Sequence, residues 1–194
     1  ASYDVDESGN IFCSNCDNSG RLVVCEGKKF IKWNLVNSGV KIPNASAVTF
    51  RRDIALKISK EYLTFKSAGD TMFWINMLEK GDYGKLELPL NYFRHHRGEV
   101  TTQRGADGTL GKESFRIHTY LKKQGYIKGI VAIDEFRIFW NIFHTASYNS
   151  EEIRKELIHL WFPWWKRTKL YRFYVNVYYF LYGKAYTVYK KMRH

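Results

Sequence analysis

Proline and cysteine are both scarce in this chain of 194 residues, with 3 of each. So little proline excludes a collagen-like or polyproline chain, and an apolar share of 45% excludes a disordered one. The three cysteines, Cys13, Cys16 and Cys25, are an odd number close together, which cannot close a disulfide framework and points to a reducing, intracellular compartment. No apolar run approaches the roughly 20 residues of a membrane span, and the first residues carry no secretory signal pattern. Acid is also in short supply: 19 Asp and Glu face 31 Lys and Arg, for a net charge of +12.

What is plentiful is aromatic and basic. Phe, Trp and Tyr make up 17% of the chain, ample for a core in a protein of this length. The charge is lopsided. Residues 1 to 97 hold 14 basic against 11 acidic side chains, whereas 98 to 194 hold 17 against 8. From Trp165 onwards there are eight basic residues and no acid, interleaved with Tyr and Phe. That composition suits a surface that meets phosphate, whether of nucleic acid, an anionic membrane or a small phosphorylated substrate.

Local patterns predict a mixed α/β chain whose second half is mostly helical. Tyr3 to Asn10, with a turn at Ser8-Gly9-Asn10, continues through Ile11-Phe12 and Arg21 to Cys25 as a hairpin-like segment. Phe50, Ile54, Ile58, Tyr62 and Phe65 have helical spacing, so one helix is predicted over about 49 to 66. Asp70 reads as the N-cap of the next helix, which stops near Gly81. Lys85 to Arg94 reads as an edge strand, because Pro89 has no N–H for a central ladder. Arg97 to Gly111 reads as a long polar loop of the kind that carries function. Beyond it, helices are expected over about 112 to 123, 134 to 146, 150 to 161 and 165 to 191, with Ser150 as a start signal and Pro163 as a break.

Several local motifs have the form of functional sites, some of them only in part. Cys13-x2-Cys16-x8-Cys25 has the spacing of three quarters of a zinc site, but Lys28 stands where the fourth ligand belongs, so ordinary thiols are the preferred reading. Ala106 to Glu113 imitates a phosphate-binding loop with Ala106 in place of its first glycine and Glu113 in place of its Ser/Thr. Leu121 to Ile127, with a helix before it and a hairpin after it, would read as part of a winged-helix unit on a basic domain, which makes a nucleic-acid-binding module of residues 112 to 142 plus the basic tail the rival reading. Asp4-Val5-Asp6 has the acid-x-acid form that holds a metal on a nucleotide, and turn chemistry explains it equally well. Asp70, at a helix start where free N–H groups favour an anion, is either a plain cap or a base beside a substrate. Arg94, His95, His96 and Arg97 concentrate donors suited to phosphate.

Taken in order, four blocks resemble the C-terminal part of a family-2 glycosyltransferase, the inverting bacterial enzymes of GT-A fold that build surface polysaccharides. Tyr3 with Asp6-Glu7-Ser8-Gly9-Asn10 is similar to that family's Y-x-x-x-D-E-N-G-N stretch. Asn44-Ala45-Ser46-Ala47-Val48 with Phe50-Arg51-Arg52 is similar to its N-A-S-A-V-x-F-R-R segment. Gly69-Asp70 with Phe73-Trp74-Ile75 and Leu78 is similar to G-D-x-x-F-W-I-x-x-L, and Leu88 to His96 with Val100-Thr101 is similar to E-P-L-N-Y-F-R-x-H-x-x-x-V-T.

The resemblance covers about residues 1 to 105 and implies an acceptor-side part of a GT-A domain there, followed by a helical, basic extension over 106 to 194. It implies Asp70 as catalytic base and Arg94 and His96 on the leaving diphosphate; His95 has no counterpart, and Trp74 is expected in the core. The donor would be a nucleotide sugar and the acceptor a glycan or lipid-linked sugar. The nucleotide-binding βαβ units and the divalent-metal motif have no match in these residues, so the expected reading is an acceptor half, with the main ligands of a manganese or magnesium ion outside it and Asp4-Val5-Asp6 as a decoy. Such a half is expected to expose apolar surface or to form a homo-oligomer. The expected location is cytoplasmic, with the inner face of the cell membrane as the surface that the C-terminal helices could meet.

Overall fold

The computed structural model describes residues 2–13, 18–32, 42, 45–94 and 100–191, with side chains at 3–11, 18–32, 42, 45–94 and 103–183. The chain divides into two compact units, Ala1–Thr102 and Gln103–His194, and mixes helices with a few short strands, helices predominating.

In the N-terminal unit, β1 (Ser2–Val5) runs antiparallel to β2 (Ile11–Cys13). The Asp6 carboxylate makes the connecting turn: Oδ1 accepts the N–H groups of Ser8 and Asn10 at 2.9 and 2.8 Å, and Oδ2 accepts Asn10 Nδ2 at 3.0 Å. Gly9 supplies the φ of +87° that the turn needs. On its other side β1 pairs in parallel with β5 (Asn91–Arg94), giving the order β2-β1-β5. The run Leu22 to Cys25, with β-branched Val23 and Val24 at its centre, forms β3, but it does not join that hairpin. It pairs antiparallel with β4 (Tyr83–Leu86) in a separate two-stranded sheet.

The single edge strand expected over Lys85 to Arg94 is therefore two strands of two different sheets. Glu87 N–H still donates to Arg21 O, but Pro89 has no N–H to offer, and Leu90 N–H turns back onto Leu88 O before β5 begins. The helix expected over 49 to 66 is also interrupted. Helix α2 covers only Arg52–Ala55, Ser59 is extended at ψ 140°, and its hydroxyl accepts Glu61 N–H to start a 3-10 turn at Lys60–Thr64. The break leaves both Ile58 and Tyr62 packed in one core with Ile42, Trp74 and Met77.

Helix α3 (Gly69–Leu78) is the centre of this unit. Met72, Trp74, Ile75, Met77 and Leu78 are all buried, so the helix is apolar nearly all round rather than on one stripe. Its N-cap is Ala68 and not Asp70, which sits in the first turn. Gly69 lies so close to the chain before it that a Cβ there would stand 2.7 Å from Tyr62 O, so the helix starts at the glycine. Short helix α1 (Gly27–Phe30) lies against the end of α3 and stacks Phe30 on Tyr83 at 3.8 Å.

Most of the loop expected over Arg97 to Gly111 is helix as well: α4 covers Val100–Ala106, and Asp107-Gly108 separates it from α5 (Thr109–Lys123). In the C-terminal unit, α5 packs on α7 (Glu151–Trp161), and α6 (Ile130–Thr145) packs on α7 and on α8 (Lys169–Lys191). The core gathers Phe136, Phe143, Leu157, Trp161, Phe162 and Val175. Trp161 stacks on Phe139 at 3.9 Å and donates Nε1–H to Gly111 O at 3.0 Å, while Gly111 itself leaves room for Leu157. Ser150 caps α7 through Ile153 N–H. No wing follows Ile127. The chain enters α6 at Ile130, so the hairpin expected for a winged-helix unit is helix instead.

Candidate functional site

Parallel pairing brings residues far apart in sequence to one end of a sheet. The β1–β5 register sets Tyr3 opposite Tyr92, with their rings stacked at 5.4 Å, and Val5 opposite Arg94. The Asp6 turn and Arg94 thus leave the carboxyl ends of two adjacent parallel strands, the usual place for a ligand in an α/β sheet. Arg94 is exposed there, whereas His95 and His96 lie outside the described residues. A second pair of blocks meets through aromatic edges: Phe50 touches Phe73 at 5.5 Å and Trp74 at 5.8 Å. Trp74 is buried, as expected of a core residue.

Asp70 is exposed in the first turn of α3, where Oδ1 accepts Thr71 N–H at 2.6 Å. No hydrogen bond or ion pair joins it to Arg94. Asp6 has both oxygens in its own turn, which lowers its carboxyl pKa chiefly through the Asn10 side chain, and among the described residues no three His, Cys, Asp or Glu converge. Of the cysteines only the Cys25 side chain is described: burial raises its thiol pKa, with Lys29 pulling the other way. Cys16 and the Cys13 side chain lie outside the described residues, and with them the three-cysteine motif.

The C-terminal unit holds a polar cluster that the sequence reading missed. His118 Nδ1 meets Glu135 Oε1 at 2.7 Å, and Lys122 Nζ meets Glu135 Oε2 at 2.9 Å. His118 and Glu135 are buried, with the imidazole edge-on to Phe139 at 4.7 Å. Burial by itself would raise the Glu135 carboxyl, yet the hydrogen bond from His118 and the charge of Lys122 outweigh it and hold the pKa below the ordinary value. Lys166 is pushed down by burial and by Lys122, with Glu135 opposing. The signals for this cluster were an acid inside the apolar stretch Ile130 to Phe143 and the His118-x3-Lys122 spacing on one helix face.

Beside it, α6 and α8 enclose an open cleft of about 700 Å³ lined by Arg137, Lys169 and Arg172, by Asn141 and Asn176, and by Phe136, Trp140 and Phe173. Arg137 lies over the Tyr179 ring at 3.4 Å and reaches Asp134 at 3.5 Å; Arg172 lies over Trp140 at 5.2 Å, with its Nε buried and without a hydrogen-bond partner. The cleft is cationic and aromatic, as the composition of the tail suggested, but one of its three cations, Arg137, comes from α6.

No family model, no curated protein and no solved structure matches this chain.

Proposed function

We propose that residues 1–105 form the acceptor side of an inverting glycosyltransferase of GT-A type, which moves a sugar from a nucleotide-sugar donor to a saccharide or lipid-linked acceptor in surface polysaccharide synthesis. What carries the reading is the pairing of the family-like blocks in space: the 3–10 and 88–96 blocks through the parallel β1–β5 ladder, and the 44–52 and 69–78 blocks through Phe50, Phe73 and Trp74.

In this reading the Asp70 carboxylate takes the proton of an acceptor hydroxyl while that oxygen attacks the anomeric carbon. The bond from that carbon to the diphosphate breaks, and the diphosphate leaves with its electron pair on the face opposite to attack. Arg94, joined by His96, neutralises the charge that develops on it. The exposure of Asp70 and Arg94 leaves both free to meet a substrate.

The test is sugar transfer by the natural protein that contains these residues, over a panel of nucleotide sugars with manganese. Asp70→Asn is expected to lower kcat by about 10²–10⁴-fold without changing the melting temperature; wild-type turnover in that variant removes Asp70 from the mechanism. A duplex oligonucleotide at two salt concentrations tests the rival class, since a nucleic-acid-binding module would bind it with an affinity that collapses as salt rises.

A further inference from the structure

Helix α8 carries an apolar stripe that faces away from the core. Leu170, Phe173, Tyr174, Val177, Phe180 and Leu181 recur at i, i+3, i+4, i+7, i+10 and i+11, one continuous face of a helix. All six are exposed, Leu170 at 77%, Phe180 at 74% and Phe173 at 67%. The opposite side of the same helix buries Val175 and packs Tyr171 against the core, so α8 is apolar on both faces for two different reasons. Just before it, Trp164 is 73% exposed.

A cationic flank borders this stripe. Lys169, Arg172 and Asn176 line the cleft against α6, and Phe173 belongs to both the cleft and the stripe. From Trp165 to the end the chain has eight basic residues and no acid. Two copies meeting through this face would oppose like charges, and aliphatic Leu170, Val177 and Leu181 have neither rings to stack on bases nor groups to bond them. Among the described residues no helix is long and apolar enough to cross a membrane.

We propose that α8 is an interfacial helix that lies flat on an anionic phospholipid surface, with its stripe in the boundary between headgroups and acyl chains and a headgroup phosphate taken by Arg137, Lys169 and Arg172. A helix of 23 residues, about 34 Å long, presents its whole apolar face when it lies in the plane. The basic flank then sits at the level of the phosphates, and Trp164 at the interfacial depth that indole favours. This inference stands on the C-terminal unit alone and does not depend on sugar transfer.

The experiment is flotation of the full chain with vesicles of equal parts phosphatidylcholine and phosphatidylglycerol, beside pure phosphatidylcholine vesicles, inorganic phosphate and an oligonucleotide. Binding is expected to the anionic vesicles only, with a blue shift of tryptophan emission and weakening in salt. Phe173→Glu and Phe180→Glu, both at exposed positions, are each expected to reduce partitioning about ten-fold or more, and Lys169→Gln about five-fold. Circular dichroism checks that each variant is folded. Equal binding to neutral vesicles overturns the proposal. So does saturation by free phosphate that leaves nothing for lipid, a dimer that Phe180→Glu dissociates in a chain that ignores vesicles, oligonucleotide binding without vesicle binding, or no binding at all.

Discussion

Glu87 and Glu135 are buried acids, and each is surrounded by cations. Glu87 takes Arg21 at 3.0 Å, Lys85 at 3.6 Å and the Ser19 hydroxyl at 3.0 Å; Glu135 takes His118 and Lys122. Because the Glu135 carboxyl is lowered in the folded protein, its contribution to stability is fully present above the ordinary value of 4.5 and is lost as pH falls through the folded value. Glu135→Gln should therefore flatten the acid limb of a melting-temperature profile, and cost about 1.5–3 kcal/mol at neutral pH through the weakened charged hydrogen bonds. An unchanged acid limb would mean that other carboxylates set it. Gly27 is the other decisive single position. A Cβ there would run into the carbonyl oxygens of Leu78 and Gly81, both backbone and unable to yield, so Gly27→Ala should lower the urea midpoint far more than Gly105→Ala, where the space is open.

At the scale of elements, short-range signals were reliable where one residue makes the local bond and unreliable where packing decides. Ser150 caps α7 as expected, and Ser150→Ala should cost about 1 kcal/mol in denaturant unfolding. The Asp6 turn was visible in Ser8-Gly9-Asn10, and Asp6→Ala should lower the melting temperature of the N-terminal unit, since three hydrogen bonds from the turn end on one carboxylate. By contrast the apolar spacing from Phe50 to Phe65 is compatible with one long helix, and only the need to bring Ile58 and Tyr62 onto the same core around Trp74 breaks it at Ser59. In the same way β3 has no local preference between β2 and β4. Its partner is set by the path of the chain, with Gly20 N–H and Arg21 O both bonded to Glu87 beyond the end of the ladder.

The whole molecule carries +12, and that excess acts as self-repulsion as well as attraction for phosphate. Moderate sodium chloride should therefore raise the melting temperature while it weakens binding to anionic vesicles. Opposite signs in these two measurements separate the fold's response to charge from the surface's. A melting temperature that falls with salt would mean that ion pairs such as Lys112–Glu156, at 2.8 Å, outweigh the repulsion.

The sequence by itself determined the mixed class, the helical second half, the turn at Asp6, the cap at Ser150 and the basic tail, because each depends on neighbours within a few residues or on composition alone. It also carried the four blocks that resemble a glycosyltransferase, and with them Asp70, Arg94 and His96 as candidate site residues. Only the tertiary structure decided that residues 2–5 and 91–94 are strand partners, that Glu135 lies between His118 and Lys122, and that Arg137 of α6 shares a cleft with Arg172 of α8. Those depend on which faces bury together. A periodic pattern shows that a helix has an apolar side; it does not show, for a helix as aromatic as α8, which of two apolar sides turns to the core.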